Sequence, residues 1–296
     1  MSIFITGGAG FVGINLGRFL CSNNSIVNYK KDSPILIQEN VVIHLAGKAH
    51  DLKNISSPDE YYKVNTGLTK EVFDAFLASN ARVFIILSSV KALADEVDGE
   101  LNEDFTPNPI THYGKSKLLA EQYILSKQIP EGKRVYILRP CMIHGPGNKG
   151  NLNLLYKLVS RGFPWPLGVF ENKRSFCSID NLMFIIKELI EREDIPSGVY
   201  NVADDEALST KDVISILAES QNRRPKVWKV PKGLIKSLAK LGDVLRLPLT
   251  TERLHKLTES YVVSNQKIKS AIGKPLPVSA KNGLLKTFNS FQNSAQ

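Results

Sequence analysis

The sequence predicts an α/β fold: a doubly wound parallel sheet with a smaller, mostly helical C-terminal lobe. Three observations predict it. Short β-branched and aromatic runs recur over the first 205 residues with helical stretches between several of them, a pattern that pairs strands in parallel and covers both sheet faces with helices. The first of these runs leads directly into a glycine-rich turn and an apolar helix. Beyond about residue 205 strand signals become few, and helical segments and proline-bounded loops lead to a polar tail at 289–296.

Residues 2–6, Ser-Ile-Phe-Ile-Thr, read as a buried strand, and Gly7-Gly-Ala-Gly-Phe-Val-Gly13 opens a helix reaching Leu20. Further strands are expected at 25–29, 41–45, 83–87, 135–138 and 198–202, and helices at 62–79 and 113–126. Only about ten residues separate the second strand from Val41. That is too few for the crossover helix and extra strand of a doubly wound sheet, so this half of the sheet is expected to be trimmed. The domain boundaries that follow are 1–146 plus 176–204 for the sheet domain and 147–175 plus 205–296 for the lobe.

A chain of 296 residues with 43% hydrophobic and 23% charged residues can bury a large core, which excludes a disordered protein. Its 38 Lys+Arg against 29 Asp+Glu give a net charge of +9, compatible with nucleic acid, an anionic membrane surface or a phosphorylated small molecule. Between Arg223 and Lys286 fifteen Lys/Arg face Asp243, Glu252 and Glu259, so the basicity belongs to the lobe. There Lys232, Lys236 and Lys240 recur beside Leu234, Ile235, Leu238 and Leu241 as in a basic amphipathic helix, suited to an anionic ligand and to peripheral membrane contact. Nucleic-acid binding is not expected, because basic residues interleaved with stacking aromatics are missing. Cys21, Cys141 and Cys177 are widely spaced and form no CxxC, and His44, His50, His112 and His144 lack ligand spacing, so neither a disulfide framework nor a metal site is expected. With no apolar run of about 20 residues and no leader pattern, a cytoplasmic protein is expected.

Gly7, Gly10 and Gly13 after a strand and at the head of a helix allow a tight turn, close approach of backbone to a pyrophosphate and close helix packing. This is a Rossmann-like dinucleotide site, with Phe11 and Val12 in the same turn. A carboxylate ending the second strand would bind the ribose of NAD and repel the phosphate of NADP; here Asn28-Tyr-Lys-Lys-Asp32 offers Lys30 and Lys31 instead, which favours NADP. Tyr113 and Lys117 lie one helical turn apart, so the ammonium is expected to lower the phenol's pKa and make it a general acid/base for a sugar or alcohol hydroxyl. Ser88-Ser89 ends a strand between the turn and this helix.

On these motifs the chain resembles the extended short-chain dehydrogenases/reductases of the nucleotide-sugar epimerase/dehydratase family. The matching stretches run in family order over nearly the whole chain: TGGAGFVG (6–13), HLAGKAH (44–50), VNTGLT (64–69), LSSVKAL (87–93), YGKSKLLAE (113–121), LRPCMIHGPG (138–147) and RSFCSIDNL (174–182). The resemblance implies a catalytic set of Ser89, Tyr113 and Lys117. It places Leu45, Ala46 and Gly47 under the cofactor, adds Arg139 to the cofactor-binding residues, and makes Asn65 a structural residue behind the site. Asn151 and Leu152 would lie over the substrate nucleotide, Arg174 would meet its diphosphate, as suits a guanidinium, and Lys91 would bind a sugar or phosphate oxygen.

The chain also departs from the family. Ser89 is followed by Val90-Lys91 where dehydratases carry Asp-Glu, which argues against dehydration. Ala92-Leu93-Ala94 replaces the common Val-Tyr-Gly, implying a different sugar pocket. The expected activity is reduction of a UDP-4-keto-6-deoxy-N-acetylhexosamine in bacterial surface polysaccharide (O-antigen) biosynthesis. The alternatives are a UDP-sugar 4-epimerase with retained NAD and a non-catalytic cofactor sensor, whose mark would be loss of the tyrosine or lysine. A homodimer through paired helices is expected from the resemblance.

Overall fold

The computed structural model describes residues 1–21, 24–31, 33–49, 57–148, 151–245 and 250–293, and leaves aside the side chains of Asn151, Leu154, Leu158 and Asn293. In chain order its first half comprises β1 (Ser2–Thr6), α1 (Phe11–Leu20), β2 (Ser25–Asn28), β3 (Val41–His44), α2 (Pro58–Tyr61), a π-turn (Tyr62–Gly67), α3 (Leu68–Ala78), β4 (Val83–Leu87), β5 (Glu100–Leu101) and α4 (His112–Leu125). The second half comprises β6 (Arg134–Pro140), β7 (Met142–His144), α5 (Asn151–Ser160), β8 (Phe176–Ser178), α6 (Ile179–Glu191), β9 (Gly198–Val202), α7 (Thr210–Ser220), α8 (Lys232–Leu245), α9 (Thr251–Thr258), β10 (Val262–Val263), α10 (Gln266–Ile272) and α11 (Ala280–Asn293).

The six strands expected from the sequence form one parallel sheet in the order β2-β1-β3-β4-β6-β9. Alternation along β1 explains how it is held: Ile3 and Ile5 face a core with α1 and α6, while Phe4 faces a second core with α3 and α4. The order reverses at β1, with β2 on one side and β3 on the other, which opens a crevice beyond the strand ends for a ligand. The expected trimming is present. The described residues between 29 and 40 form no helix, β2 is the sheet edge, and Tyr29, Ile35 and Ile37 cover the apolar surface beside it.

Two parallel pairs that the sequence did not signal, β5 with β10 and β7 with β8, lie outside the main sheet. They are two or three residues long, too short for a periodic pattern. β8, α5, α7 and α11 share one apolar cluster, while Trp165, Ile214, Ile235, Ala239 and Leu254 form another. The sequence boundary at 205 assigns α10 to the lobe; the structure packs Ile268 and Ile272 into the core under the main sheet. Among the described residues no helix is long and apolar enough to cross a membrane.

Candidate active site

The glycine turn leaves β1 at the crevice. Gly7 has φ +72°, and a Cβ there would come 2.6 Å from the Ala46 backbone nitrogen, so glycine alone lets the 45–47 loop cross beneath the turn. The amide of Gly10 donates to the Gly7 carbonyl at 3.0 Å, and α1 begins at Phe11 with neither a side-chain cap nor an acid in its first turn. Its leading N–H groups, and Val12 and Gly13 behind them, form a setting that fits the pyrophosphate of a dinucleotide.

At the end of β2 the structure places Asn28 against this turn: a Cβ on Gly8 would lie 1.9 Å from the Asn28 Oδ1. In place of an acid the strand ends in this amide, which is neutral and can hydrogen-bond ribose hydroxyls without repelling a 2′-phosphate. Lys30 and Lys31 follow it on the surface, and Asp32 lies outside the described residues, as does His50.

Ser89, Tyr113 and Lys117 come together where β4 ends and α4 begins. Ser89 caps the following 3₁₀ turn through its Oγ, which accepts from the Lys91 amide at 3.2 Å, and the Ser89 hydroxyl is hydrogen-bonded to the Tyr113 phenol. Close approach of α4 depends on Gly114, where a Cβ would lie 2.3 Å from the Lys91 carbonyl oxygen. Thr111 caps α4 by accepting from the Gly114 amide at 3.2 Å, and Asp95 holds Thr111 through its amide and hydroxyl. Burial pushes the Tyr113 phenol above its ordinary pKa, the Ser89 bond pulls it back, and Tyr61 adds to the rise. This corrects the expectation that Lys117 lowers it. The Lys117 ammonium donates to the Leu87 carbonyl at 2.8 Å and sits 2.9 Å from where a Gly47 Cβ would be. Burial brings Lys117 itself down from 10.5 to about 8, against the pull of Glu121.

Behind these groups a buried network fixes the loop. Asn65, in the π-turn, accepts from the Lys48 amide at 2.7 Å and donates to the Lys48 carbonyl and to Ser116 on α4. Thr69 donates to the Asn65 carbonyl at 2.6 Å, so His44 Nε2, 2.9 Å away, must be the donor to Thr69. Thr6 accepts from the Ala46 amide and gives its own proton to His44 Nδ1 at 2.7 Å. His44, for which the sequence showed only a lack of metal-ligand spacing, thus links the end of β1 to the π-turn as a neutral ring. Burial, followed by the charge of Lys117, lowers its pKa from 6.5 to about 3.

Between those two values the unfolded chain binds a proton that the folded one refuses, so stability falls as pH drops from 6.5 toward 3, by about 1.4 kcal/mol per pH unit for this group. Urea unfolding at stepped pH is expected to show this slope, and His44→Gln should lack that one-proton share of it.

Arg139 is the clearest correction. The resemblance placed it at the cofactor, but its guanidinium is buried against Glu121, with Nε 3.0 and 3.1 Å from the two carboxylate oxygens and Nη2 2.5 Å from Oε2. Ser88 donates to the other side of the same carboxylate. The trio clamps the ends of β4 and β6 to α4. Glu121 escaped the sequence reading, although an acid four residues beyond Lys117 and an arginine in an apolar strand each called for a buried partner.

On the substrate side, Lys91 donates to the Asp95 carbonyl at 2.7 Å and lies 4.2 Å over the Tyr261 ring, while burial lowers its pKa. Arg174 is ion-paired to Glu259 at 2.7 Å, and both cations lie within electrostatic reach of that carboxylate. Leu152 is packed into the lobe core beside Phe176 and Leu284, and the Asn151 side chain lies outside the described residues. Glu96, His255 and Glu259 bring ligand atoms within 4.8 Å of one another, a grouping with no sequence signal in which Glu259 is already engaged by Arg174.

Comparison with known proteins agrees with this geometry. A family model described as "NAD dependent epimerase/dehydratase family" matches residues 35–203. A UDP-glucose 4-epimerase of Vibrio cholerae is 28% identical, the alignment covering 98% of this chain and 95% of the relative. An N-acetyl-alpha-D-glucosaminyl-diphospho-ditrans,octacis-undecaprenol 4-epimerase of Escherichia coli O157:H7 is 25% identical over 79% of this chain and 76% of its own length. In fold the chain matches the crystal structure of a UDP-glucuronic acid 4-epimerase from Bacillus cereus in complex with NAD, with a TM-score of 0.76, 19% identity and full coverage of both chains.

Proposed function

Because the chain belongs to the NAD dependent epimerase/dehydratase family, we propose that it is an enzyme that oxidises and re-reduces C4 of a diphosphate-linked hexose, acting as a 4-epimerase. The observation that carries this reading is the Ser89–Tyr113 hydrogen bond beside the buried Lys117, at the mouth of a glycine turn that fits a dinucleotide. The full-length similarity to a UDP-glucose 4-epimerase puts epimerisation ahead of the net reduction expected from the sequence.

In this reading Gly7, Gly10, Phe11, Val12, Gly13 and the 45–47 loop hold the cofactor, with the Lys117 ammonium beside Gly47 to meet its ribose. A bound nicotinamide supplies the hydride acceptor and donor and, when oxidised, a positive charge that favours the Tyr113 phenolate. Ser89 donates a hydrogen bond to the sugar O4. Tyr113 takes the O4 proton as the C4–H bond breaks and the 4-keto sugar forms, then returns the proton when hydride adds to the opposite face of C4. Lys91 and Arg174, with Glu259 between them, are read as the contacts for sugar and diphosphate. The exposed Leu119 and Leu125 on α4 support a homodimer through paired helices, placed in the cytoplasm and in surface polysaccharide synthesis.

The test is to denature the purified protein, identify the released nucleotide, and assay interconversion of C4 epimers of UDP-linked and undecaprenyl-diphosphate-linked N-acetylhexosamines and hexoses. Retained NAD and interconversion are expected. Net NADPH consumption with a UDP-4-keto-6-deoxy-N-acetylhexosamine, without interconversion, would overturn epimerisation in favour of 4-ketoreduction. Asn28 is the observation favouring that second reading. Asn28→Asp is accordingly expected to weaken NADP(H) binding about tenfold or more while leaving NAD(H) binding within a few-fold, because the new carboxylate repels only the 2′-phosphate; fluorescence titration of both cofactors checks it.

A further inference from the structure

Helix α8 packs inward through Ile235, Ala239 and Gly242 and leaves a second apolar row bare. Leu234 is 55% exposed, Leu238 49%, Leu241 47%, Val244 78% and Leu245 58%. At 100° per residue the four leucines fall along one flank of the buried stripe and Lys232, Lys236 and Lys240 along the other. The pole between the two flanks carries Gly233, Ser237 and Val244, small enough for a flat surface to come close. Exposed leucines at this density on one helix mark an interaction surface.

Charge selects the occupant. Residues 223–245 hold seven Lys/Arg and one acid, Asp243, whose carboxylate is occupied by the Thr251 amide and hydroxyl. Arg223, Arg224 and Lys226 line a cavity of about 330 Å³ with Val159, Phe163 and Ile214, and Phe163 and Trp228 are exposed around the same small core on which α8 sits. A second copy packed antiparallel on this face would set lysine against lysine. An anionic bilayer instead accepts the leucine flank at its acyl boundary and the lysine flank at its phosphates. We propose that the outer face of α8 docks the protein on an anionic membrane surface. This inference does not depend on the C4 reading, since it is tested without substrate.

The test is flotation of the full chain with vesicles of phosphatidylcholine containing phosphatidylglycerol, against phosphatidylcholine alone, at low and physiological salt. Binding is expected only with phosphatidylglycerol and is expected to weaken with salt. Changing Lys232, Lys236 and Lys240 together to Ala should lower partitioning roughly a hundredfold, about fivefold per basic residue. Changing Leu238, Leu241 and Leu245 together to Ser should abolish it, with the circular dichroism spectrum unchanged. The proposal is overturned if the chain floats no better with phosphatidylglycerol than without it, or if the serine variant floats like the parent. It is equally overturned if the serine changes instead dissociate a concentration-dependent dimer that never binds vesicles, which would assign the face to a second copy.

Discussion

Changing Tyr113 to Phe is expected to lower kcat about a thousandfold, within the 10²–10⁴-fold range of a positioned general acid/base, while the unfolding temperature and the nucleotide released on denaturation stay as in the parent. The substitution removes only the phenol oxygen. Ser89 keeps its bond from the Lys91 amide, so the 3₁₀ turn after β4 retains its cap. Ser89→Ala should cost less, about tenfold, because it removes a neutral hydrogen bond while the phenol remains. Steady-state rates with whichever sugar pair the enzyme accepts decide the matter. A Tyr113→Phe variant that turns over at the parental rate would end the proposed proton path.

The second large effect is on stability. Arg139→Met is expected to destabilise the fold by about 3–5 kcal/mol, since it strips the Glu121 carboxylate of its guanidinium and leaves a buried charge held by the Ser88 hydroxyl. Against the 5–15 kcal/mol typical of whole proteins, this is enough to make the variant poorly soluble at 37 °C. Pairing it with Glu121→Gln should recover much of the loss, because a neutral amide tolerates burial better than a carboxylate. Urea midpoints of the single and double variants measure it, and a loss below about 1 kcal/mol in the single variant would contradict the buried pair. The same Glu121→Gln change, made alone, should take the Lys117 pKa below about 8, because Glu121 is what opposes the effect of burial there.

What could be read from the sequence was what is local in it. All six strands of the main sheet are self-contained apolar runs, and the glycine turn and the Tyr113–Lys117 spacing are short enough for their chemistry to be stated without a fold. The trimmed second strand was legible as a simple shortage of residues before Val41. Side-chain direction was not. Arg139 turned from the cofactor because its partner lies eighteen residues away on another element, and His44 became a relay because Thr6 and Thr69 close on it from both sides. Asn28 carries no charge to mark it in the sequence, and its role shows only in its contact with Gly8. The expected influence of Lys117 on Tyr113 followed from helical spacing alone. Burial of the phenol dominates instead and holds it above its ordinary pKa.

The π-turn at Tyr62–Gly67 interrupts an otherwise continuous run from Pro58 to Ala78. A π-turn takes up one residue more than an α-turn, so the segment absorbs an extra residue without turning its flanks against each other. Deleting any one residue between 62 and 67 would restore regular winding and give a better helix by local criteria. It would leave the flanking turns in phase but remove the widened turn from which Asn65 reaches Lys48 and Ser116. Chain length is therefore a functional parameter here: a change that conserves composition, improves helix geometry and touches no catalytic group would still unlatch the loop beneath the cofactor.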